Sequence, residues 1–315
     1  MKRASLKGPF FIAGRSRSNL ISFFTVQLLQ NIFSTCGLNV QRYEQVHGGD
    51  INKTYCLFTS QEKYFLKVND RVKFPGMFQK EANGLDLLRT HCTLIVPKVF
   101  RTGECGKHQY LLLEWLEKSA PLKNIWEDFG SGLAIMHKQH QSYFGLNEDN
   151  YIGSLKQDNT SHNDWHSFYS ECRVMPLVKT LLDTGSFSSK DFDSAGSFCK
   201  NLKNIFPGEH PSLLHGDLWG GNFLITSPGK PAIFDPAVYF GHREMDIGMT
   251  KLFGGFDQRF YDTYNEVYPL DNNWHQRIPY TQLYPLLVHA VLFGGHYIAA
   301  TKSIFSSGQN RSPHL

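Results

Sequence analysis

No uninterrupted apolar stretch in this chain reaches the roughly 18 residues that a membrane-crossing helix requires, so a spanning protein is not expected. Cysteine is scarce. The six present, at 36, 56, 92, 105, 172 and 199, include no C-x-x-C pair and no zinc-finger spacing. That excludes a disulfide-stapled scaffold and a structural zinc site, and reduced thiols in a cytosol are the expected state. None of the 14 histidines falls in an H-E-x-x-H pattern, which removes the common zinc-hydrolase signature. The formal charge is only +4 and its basic residues are dispersed, so there is no basic tract for nucleic acid. Repeats, low-complexity tracts and a G-x-G-x-x-G loop are absent as well. Met1 to Ser18 is basic and holds Pro9 and Gly14, but its apolar patch from Pro9 to Ala13 is too short for the core of a signal peptide. A loosely ordered leader over 1–18 is the expectation.

What remains is an ordinary globular composition, 41% hydrophobic over 315 residues, long enough for two modest lobes. Leu20, Phe23, Phe24, Leu28 and Ile32 have helical spacing, and Gly37 stops that run. Tyr43 to His47 and Thr54 to Thr59 read as strands joined by a Gly48-Gly49-Asp50 tip, with Tyr64 to Val68 a third strand. Phe78 to Arg89 reads as a helix, Val96 to Phe100 as a short extended piece and Tyr110 to Trp115 as an apolar strand. Beyond Leu116 the period turns helical. Helices are expected around Phe129 to His137, from Trp165 to Met175 with a disturbance at Pro176, over Phe192 to Phe206, over Glu244 to Phe253, and from Tyr280 to about Lys302. The pattern is α+β: an N-terminal antiparallel sheet lobe with a helix over 19–116, then a larger, mainly helical C-terminal lobe over 117–315, joined near Glu114 to Pro121.

The most informative stretch is His215-Gly216-Asp217-Leu218-Trp219-Gly220-Gly221-Asn222, followed by Ile233-Phe234-Asp235-Pro236. An H-x-D-x-x-x-x-N loop is the pattern of kinase catalytic loops, whose Asp meets the acceptor hydroxyl and whose Asn holds metal. Asp235 lies thirteen residues past Asn222, which leaves room for a short hairpin ending in a second metal ligand. Any one of these polar residues alone is an ordinary turn former. Together they assign Asp217 as base or hydroxyl-orienting group and Asn222 and Asp235 as ligands of Mg2+, a hard cation that prefers oxygen donors.

Phosphoryl transfer also needs a cation on the nucleotide phosphates. Lys67 sits mid-strand in an apolar setting, where a solvent-facing lysine is the plain alternative. Glu81, fourteen residues on and on the side of the helix that carries Phe78 and Leu85, supplies the partner that a buried ammonium requires. Gly48 and Gly49 would let backbone amides approach a phosphate, although most such pairs are only turns. Glu114, Trp115 and Leu116 end a strand where backbone groups would meet the adenine edge of ATP. Trp219 and His215 are assigned to the substrate side. Trp219 would stack on a sugar ring or wall the acceptor pocket, with a core anchor as its alternative. The His215 ring has bracing of the loop as its preferred use. Asp246 is read as a brace behind the loop without chemistry of its own.

HGDLWGGN, IFDPAVYFGHREMDIGM and KLFGGF, with VHGGDINKTY, YFLKVN, FGLNEDNYIGS, NDWHSFYSECR and LYPLLVHAVLFGG elsewhere, resemble the fructosamine-3-kinase (ketosamine-3-kinase) family from about Gln41 to Tyr297. The resemblance implies a protein-kinase-like two-lobed fold, ATP with Mg2+, and phosphorylation of the 3-hydroxyl of a ketosamine, a sugar adduct on an amine. The phosphorylated adduct then falls away, so the reaction is one of deglycation repair in the cytoplasm. The family's base falls on Asp217, its metal ligands on Asn222 and Asp235, and its phosphate lysine and partner on Lys67 and Glu81. Two departures stand out. Asp50 occupies the place where many eukaryotic relatives carry a glycine-loop cysteine. Asn147 to Asn163 is closer to bacterial members, several of which prefer ribulosamine or erythrulosamine adducts. The alternatives are an aminoglycoside- or choline-type kinase, whose pockets use acidic clusters that this chain does not display near its end, and a silent nucleotide-binding module, against which the complete set of site residues argues.

Overall fold

The computed structural model describes residues 23–46 and 51–308. The 1–18 leader and the Gly48-Gly49 tip lie outside the described residues. Among those described, the chain forms two compact units. The first comprises the residues up to Ile125 together with Gly220–Asp235, and the second Trp126–Trp219 with Pro236–Leu315. The segment Gly220–Asp235 joins the first unit because its hairpin, Phe223–Thr226 against Lys230–Ile233, bridges to Ile95 through Ala232 and to Lys118 through Thr226.

In the first unit helix α1 (Phe23–Cys36) ends as its spacing predicts. The Gly37 N–H reaches the Ser34 carbonyl and the Leu38 N–H the Phe33 carbonyl, a double closure that needs the left-handed φ of +68° which glycine tolerates. Strands β1 (Arg42–Val46), β2 (Lys53–Phe58) and β3 (Lys63–Asp70), helix α2 (Met77–His91), and strands β4 (Val99–Cys105) and β5 (His108–Glu114) follow. The sheet order is β1-β2-β3-β5-β4, antiparallel throughout. The period of two along β3 sorts its side chains. Tyr64, Leu66 and Val68 pack with Leu29, Ile32 and Phe33 of α1, while Lys67 turns to the opposite face, toward α2. Strand β4 runs farther than the short extended piece expected from the sequence. Its Arg101, Thr102, Gly103 and Glu104 offer no run of β-formers, and pairing with β5 supplies what propensity lacks. Gly103 is required there, since a Cβ would lie 2.5 Å from the Tyr110 hydroxyl.

The second unit holds α3 (Ile125–His137), α4 (Trp165–Phe168), α5 (Met175–Asp183), α6 (Ser189–Lys200), α7 (Glu244–Leu252), α8 (Gln258–Val267), α9 (Trp274–Thr281), α10 (Leu283–Phe293) and α11 (His296–Gly308). Its core gathers Trp165, Phe168, Tyr169, Phe198, Tyr239, Leu287 and Phe305. Pro176 does disturb its helix: a π-helical stretch, Tyr169–Val174, precedes it, and α5 restarts with the proline in its first turn, where the missing N–H costs nothing. Two expected helices are shorter. The one read to Phe206 stops at Lys200, followed by a 3-10 turn at Leu202–Asn204. The single helix read from Tyr280 to Lys302 is instead the end of α9, all of α10 and the start of α11. Gly294 (φ +63°) and Gly295 (φ +62°) break it, taking backbone conformations closed to other residues. No helix among the described residues is long and apolar enough to cross a membrane.

Helix α6 opens with a capping box, in which Ser188 and Asp191 each bond the other's backbone N–H. The Lys302 ammonium of α11 lies 2.8 Å from the Asp191 carboxylate. Desolvation pushes the Asp191 carboxyl up, but Lys302 and the Ser188 N–H and hydroxyl outweigh it and hold it down at about 2. A depressed carboxyl contributes stability that is present above its ordinary pKa near 4 and lost as pH falls toward 2. Asp191→Asn is therefore expected to cost about 1 kcal/mol at pH 7. Urea unfolding should show the wild type losing that advantage between pH 4 and 2, and a constant gap across that range would remove the carboxylate as its source.

Candidate active site

The first unit builds a buried charge cluster around one ammonium. Lys67 is only 2% exposed. Its Nζ donates to Glu81 Oε1 at 2.8 Å, Glu81 Oε2 at 2.9 Å and Asp235 Oδ1 at 2.8 Å. The sequence anticipated the Lys67–Glu81 pair. The direct contact with Asp235, 168 positions away, comes from the fold. Burial by itself would depress the Lys67 ammonium, but the Asp235 and Glu81 carboxylates more than offset it and keep the group charged. Glu81 is pushed up, to about 7, first by burial and then by Asp235, with Lys67 opposing.

Asp235 reaches this point through the hairpin that the thirteen-residue spacing allowed. The Phe234 N–H donates to the Asn222 carbonyl at 3.2 Å, extending the ladder one step past the Ile233–Phe223 pair. That register sets Asn222 beside Asp235, with Asn222 Nδ2 3.4 Å from the Asp235 carbonyl. Asp235 has φ +54°, a left-handed conformation costing an ordinary residue about 1–2 kcal/mol, and such strain concentrates at functional positions.

The donor chemistry fits magnesium. One ammonium against two carboxylates leaves the cluster a net negative charge, and Asp235 and Asn222 offer hard oxygens. Among the described residues no group of three or more His, Cys, Asp or Glu is placed to hold a metal by protein alone.

At the end of β5 the Glu114 N–H donates to the Lys98 carbonyl at 2.9 Å, and its carboxylate accepts from the Lys98 N–H at 3.1 Å. Glu114 is therefore engaged within the sheet. Trp115 leans on Phe65, with ring centroids 6.2 Å apart, and Leu116 is buried.

The second unit holds the His215–Trp219 loop from beneath. Asp246, in the first turn of α7, accepts the His215 N–H at 2.7 Å and the Gly216 N–H at 2.9 Å. His137 of α3 lies 3.2 Å from the same carboxylate through Nε2, and its Nδ1 is 2.8 Å from the Tyr264 hydroxyl of α8. Burial depresses His137, opposed by Asp246, so the ring is neutral at pH 7. The acceptor beside it then requires Nε2 to carry the proton, leaving Nδ1 to accept from tyrosine. The Ala237 N–H donates to the His215 carbonyl at 2.9 Å. Gly216, at φ +81°, cannot be replaced, because a Cβ would lie 2.0 Å from the Ala237 carbonyl oxygen. Asp246 thus braces the loop as its position suggested. His137 and Tyr264 carried no motif signal that would have singled them out.

His215 is fully buried, and its Nδ1 accepts the Asp217 N–H at 3.3 Å. A buried ring so engaged suits the bracing use that the sequence preferred for it. Asp217 is half-buried. Its charge, secondary to desolvation and opposed by Arg173, helps hold the Tyr284 phenol up at about 12. Trp219 is partly exposed and stands edge-on to Phe253, with centroids 5.5 Å apart. The first unit thus presents a buried ammonium held by two carboxylates, and the second a clamped loop carrying one carboxylate. Gly48 and Gly49 lie outside the described residues.

Comparison with known proteins gives a consistent answer. The profile of the Fructosamine kinase family matches residues 25–309. A probable ketoamine kinase of Vibrio parahaemolyticus is 40% identical over 274 residues, covering 85% of this chain and 93% of that protein. One from Enterococcus faecium is 38% identical over 271 residues, covering 85% and 95%. The crystal structure of a candidate fructosamine-3-kinase from Thermobifida fusca superposes with a TM-score of 0.80 at 32% identity, covering 90% of this chain and 98% of that one. An aminoglycoside phosphotransferase crystallised with ADP and hygromycin B, at 14% identity and a TM-score of 0.59, shows only that the fold is the protein-kinase-like one.

Proposed function

The chain belongs to the fructosamine kinase family and is an ATP-dependent ketosamine kinase; from that premise we propose that Asp217 receives the acceptor's 3-hydroxyl proton, that Lys67 contacts the nucleotide phosphates, and that Asn222 and Asp235 hold Mg2+. The acceptor oxygen attacks the γ-phosphorus, its proton passes to the Asp217 carboxylate, and ADP departs. Magnesium, when bound, neutralises phosphate charge. The protein's own part is positional. Glu81 fixes the Lys67 ammonium, and Asp246 fixes the two peptide groups ahead of Asp217. Asp235 engages Lys67, so the metal ligand and the phosphate cation are held in register. Adenine recognition falls to the backbone of Glu114, Trp115 and Leu116, of which the Glu114 N–H is already engaged with the Lys98 carbonyl. Trp219 belongs to the acceptor side. Gly48 and Gly49 complete the proposed phosphate contacts, and the nucleotide-binding lobe extends over 19–116. Six free thiols are consistent with a reducing cytoplasm.

The observation that carries this reading is the Lys67 ammonium held within 2.8–2.9 Å of both Glu81 and Asp235. A fully buried lysine facing two carboxylates has little purpose in a chain that binds no polyanion. The test is phosphate transfer from ATP to ribulosyl-lysine and fructosyl-lysine, with the phosphorylated position mapped in the product. Transfer to the 3-hydroxyl of either is expected. Phosphorylation of choline or kanamycin with neither ketosamine turned over would refute the reading.

A further inference from the structure

We propose that Asn69 is a positioning residue for ATP: its buried side-chain amide pins Asn52, at the root of the Gly48-Gly49 tip, to the layer that holds Lys67 and Glu81. This deepens the ketosamine-kinase reading and rests on it, since the tip's proposed partner is the nucleotide phosphate.

The sheet register creates the juxtaposition. The β2–β3 ladder ends at the pair Lys53 and Val68, and one further step of that register sets Asn52 opposite Asn69. A side-chain bond joins the two, with Asn69 Nδ2 donating to Asn52 Oδ1 at 2.9 Å. The same Nδ2 lies 3.2 Å from Sδ of Met77, the first residue of α2. A thioether can only accept, so the nitrogen is fixed on that side and Asn52 must present its oxygen. Asn69 follows Lys67 by two positions on β3, so both side chains face α2, where Glu81 takes the Lys67 ammonium. The other arm of the tip is held as well. The β1–β2 ladder closes at Val46 and Thr54, and the Thr54 hydroxyl donates to the Val46 carbonyl at 2.7 Å.

Stability does not explain the residue. Asn69 is only 5% exposed, and its Oδ1 has no hydrogen-bond partner among the described residues. A buried carbonyl left unpaired is a net cost, and a leucine of similar shape would remove it. Gln109, the cross-strand neighbour of Asn69 on β5, is buried too, but its amide donates to the Phe74 carbonyl and so fixes the approach to α2. The Asn69 amide goes instead to the root of the tip. What offsets its unpaired oxygen is a fixed Asn52. A tip whose two ends are held has less freedom to lose when it closes on a ligand. The effect therefore falls on nucleotide affinity and not on the transfer step, whose proposed base Asp217 belongs to the other compact unit.

The measurement is steady-state kinetics with ATP varied and ribulosyl-lysine saturating. Asn69→Leu and Asn52→Ala are each expected to raise KM for ATP about five- to tenfold, with kcat within about threefold of wild type. Thermal melts of Asn69→Leu should match or exceed wild type. A merely structural residue would do the reverse, lowering the melting temperature and leaving KM where it was. The double variant Asn52→Ala/Asn69→Leu should raise KM no more than the worse single change, because both remove the same bond. KM values within about twofold of wild type in both single variants would overturn the proposal, as would single effects that multiply in the double. If Asn69→Leu does not fold, Asn52→Ala alone decides, since Asn52 is partly exposed and lies outside any strand. Absence of transfer by the wild type would bring down the ketosamine-kinase reading itself, an outcome distinct from an unmoved KM.

Discussion

Asp217→Asn is expected to lower kcat by about 10²–10⁴-fold while the dissociation constant for ATP stays within about twofold. The loop explains why the two quantities separate. Its conformation is set by peptide groups: the His215 and Gly216 N–H groups on Asp246, the Ala237 N–H on the His215 carbonyl, and the Asp217 N–H on the His215 ring. An isosteric amide leaves these peptide bonds in place and removes the proton acceptor. The proposed nucleotide contacts, Lys67, Glu81, Asn222 and Asp235, belong to the other compact unit. Equilibrium binding of ATP with single-turnover kinetics on ribulosyl-lysine measures both quantities. An unchanged rate would strip Asp217 of its role, and a parallel loss of ATP affinity would reassign it to nucleotide binding.

Lys67→Met should act on both stability and activity. Removing the ammonium leaves Glu81 and Asp235 facing each other with no cation between them, and breaking a buried pair in this way typically costs about 3–5 kcal/mol. The protein's escape is to protonate Glu81, already pushed up to about 7 in the intact cluster. The sign follows. A carboxyl whose folded pKa exceeds its unfolded value near 4.5 contributes stability below that value and loses it as pH rises through the folded pKa. In Lys67→Met the Glu81 carboxyl rises further, so the variant should be markedly less stable at pH 8.5 than at pH 5.5, over a range where the wild type changes less. Urea unfolding at the two pH values tests this, and Lys67→Met/Glu81→Gln should recover much of the difference. kcat/KM for ATP should fall by about 10²–10³-fold, the scale on which a lost electrostatic contact to a transferring group acts. Equal stability at both pH values would mean that the ammonium does not compensate these carboxylates.

What was legible in the chain was whatever short-range periodicity or fixed spacing encodes. Strand β3 could be read because Tyr64, Phe65, Leu66 and Val68 form an aromatic and aliphatic run around Lys67, and α2 because Phe78, Ala82 and Leu85 recur at helical spacing with Glu81 among them. The hairpin between Asn222 and Asp235 could be read from its length. Strand β4 was obscured because its residues favour no strand alone and become one only against β5. The long helix expected after Tyr280 came from continuous apolarity, which cannot distinguish one helix from three when the breaks lie in the backbone angles of a glycine pair. Helix α8, with its buried Phe260, Tyr261 and Tyr264, gave no motif by which to find it.

The order Asp217, Asn222, Asp235 and the Lys67–Glu81 spacing were already determined by the sequence, because a loop of fixed length and a strand-to-helix step leave few places for those side chains. The sequence also determined the family, since 38–40% identity over 271–274 residues reports descent. Only the tertiary structure could decide that Asp235 closes on Lys67, that His215 is sealed inside its loop, and that His137 and Tyr264 stand behind Asp246. These are contacts between residues tens to more than a hundred positions apart. Such contacts arise from burying charge and aromatic surface together, a balance that no local pattern of residues records.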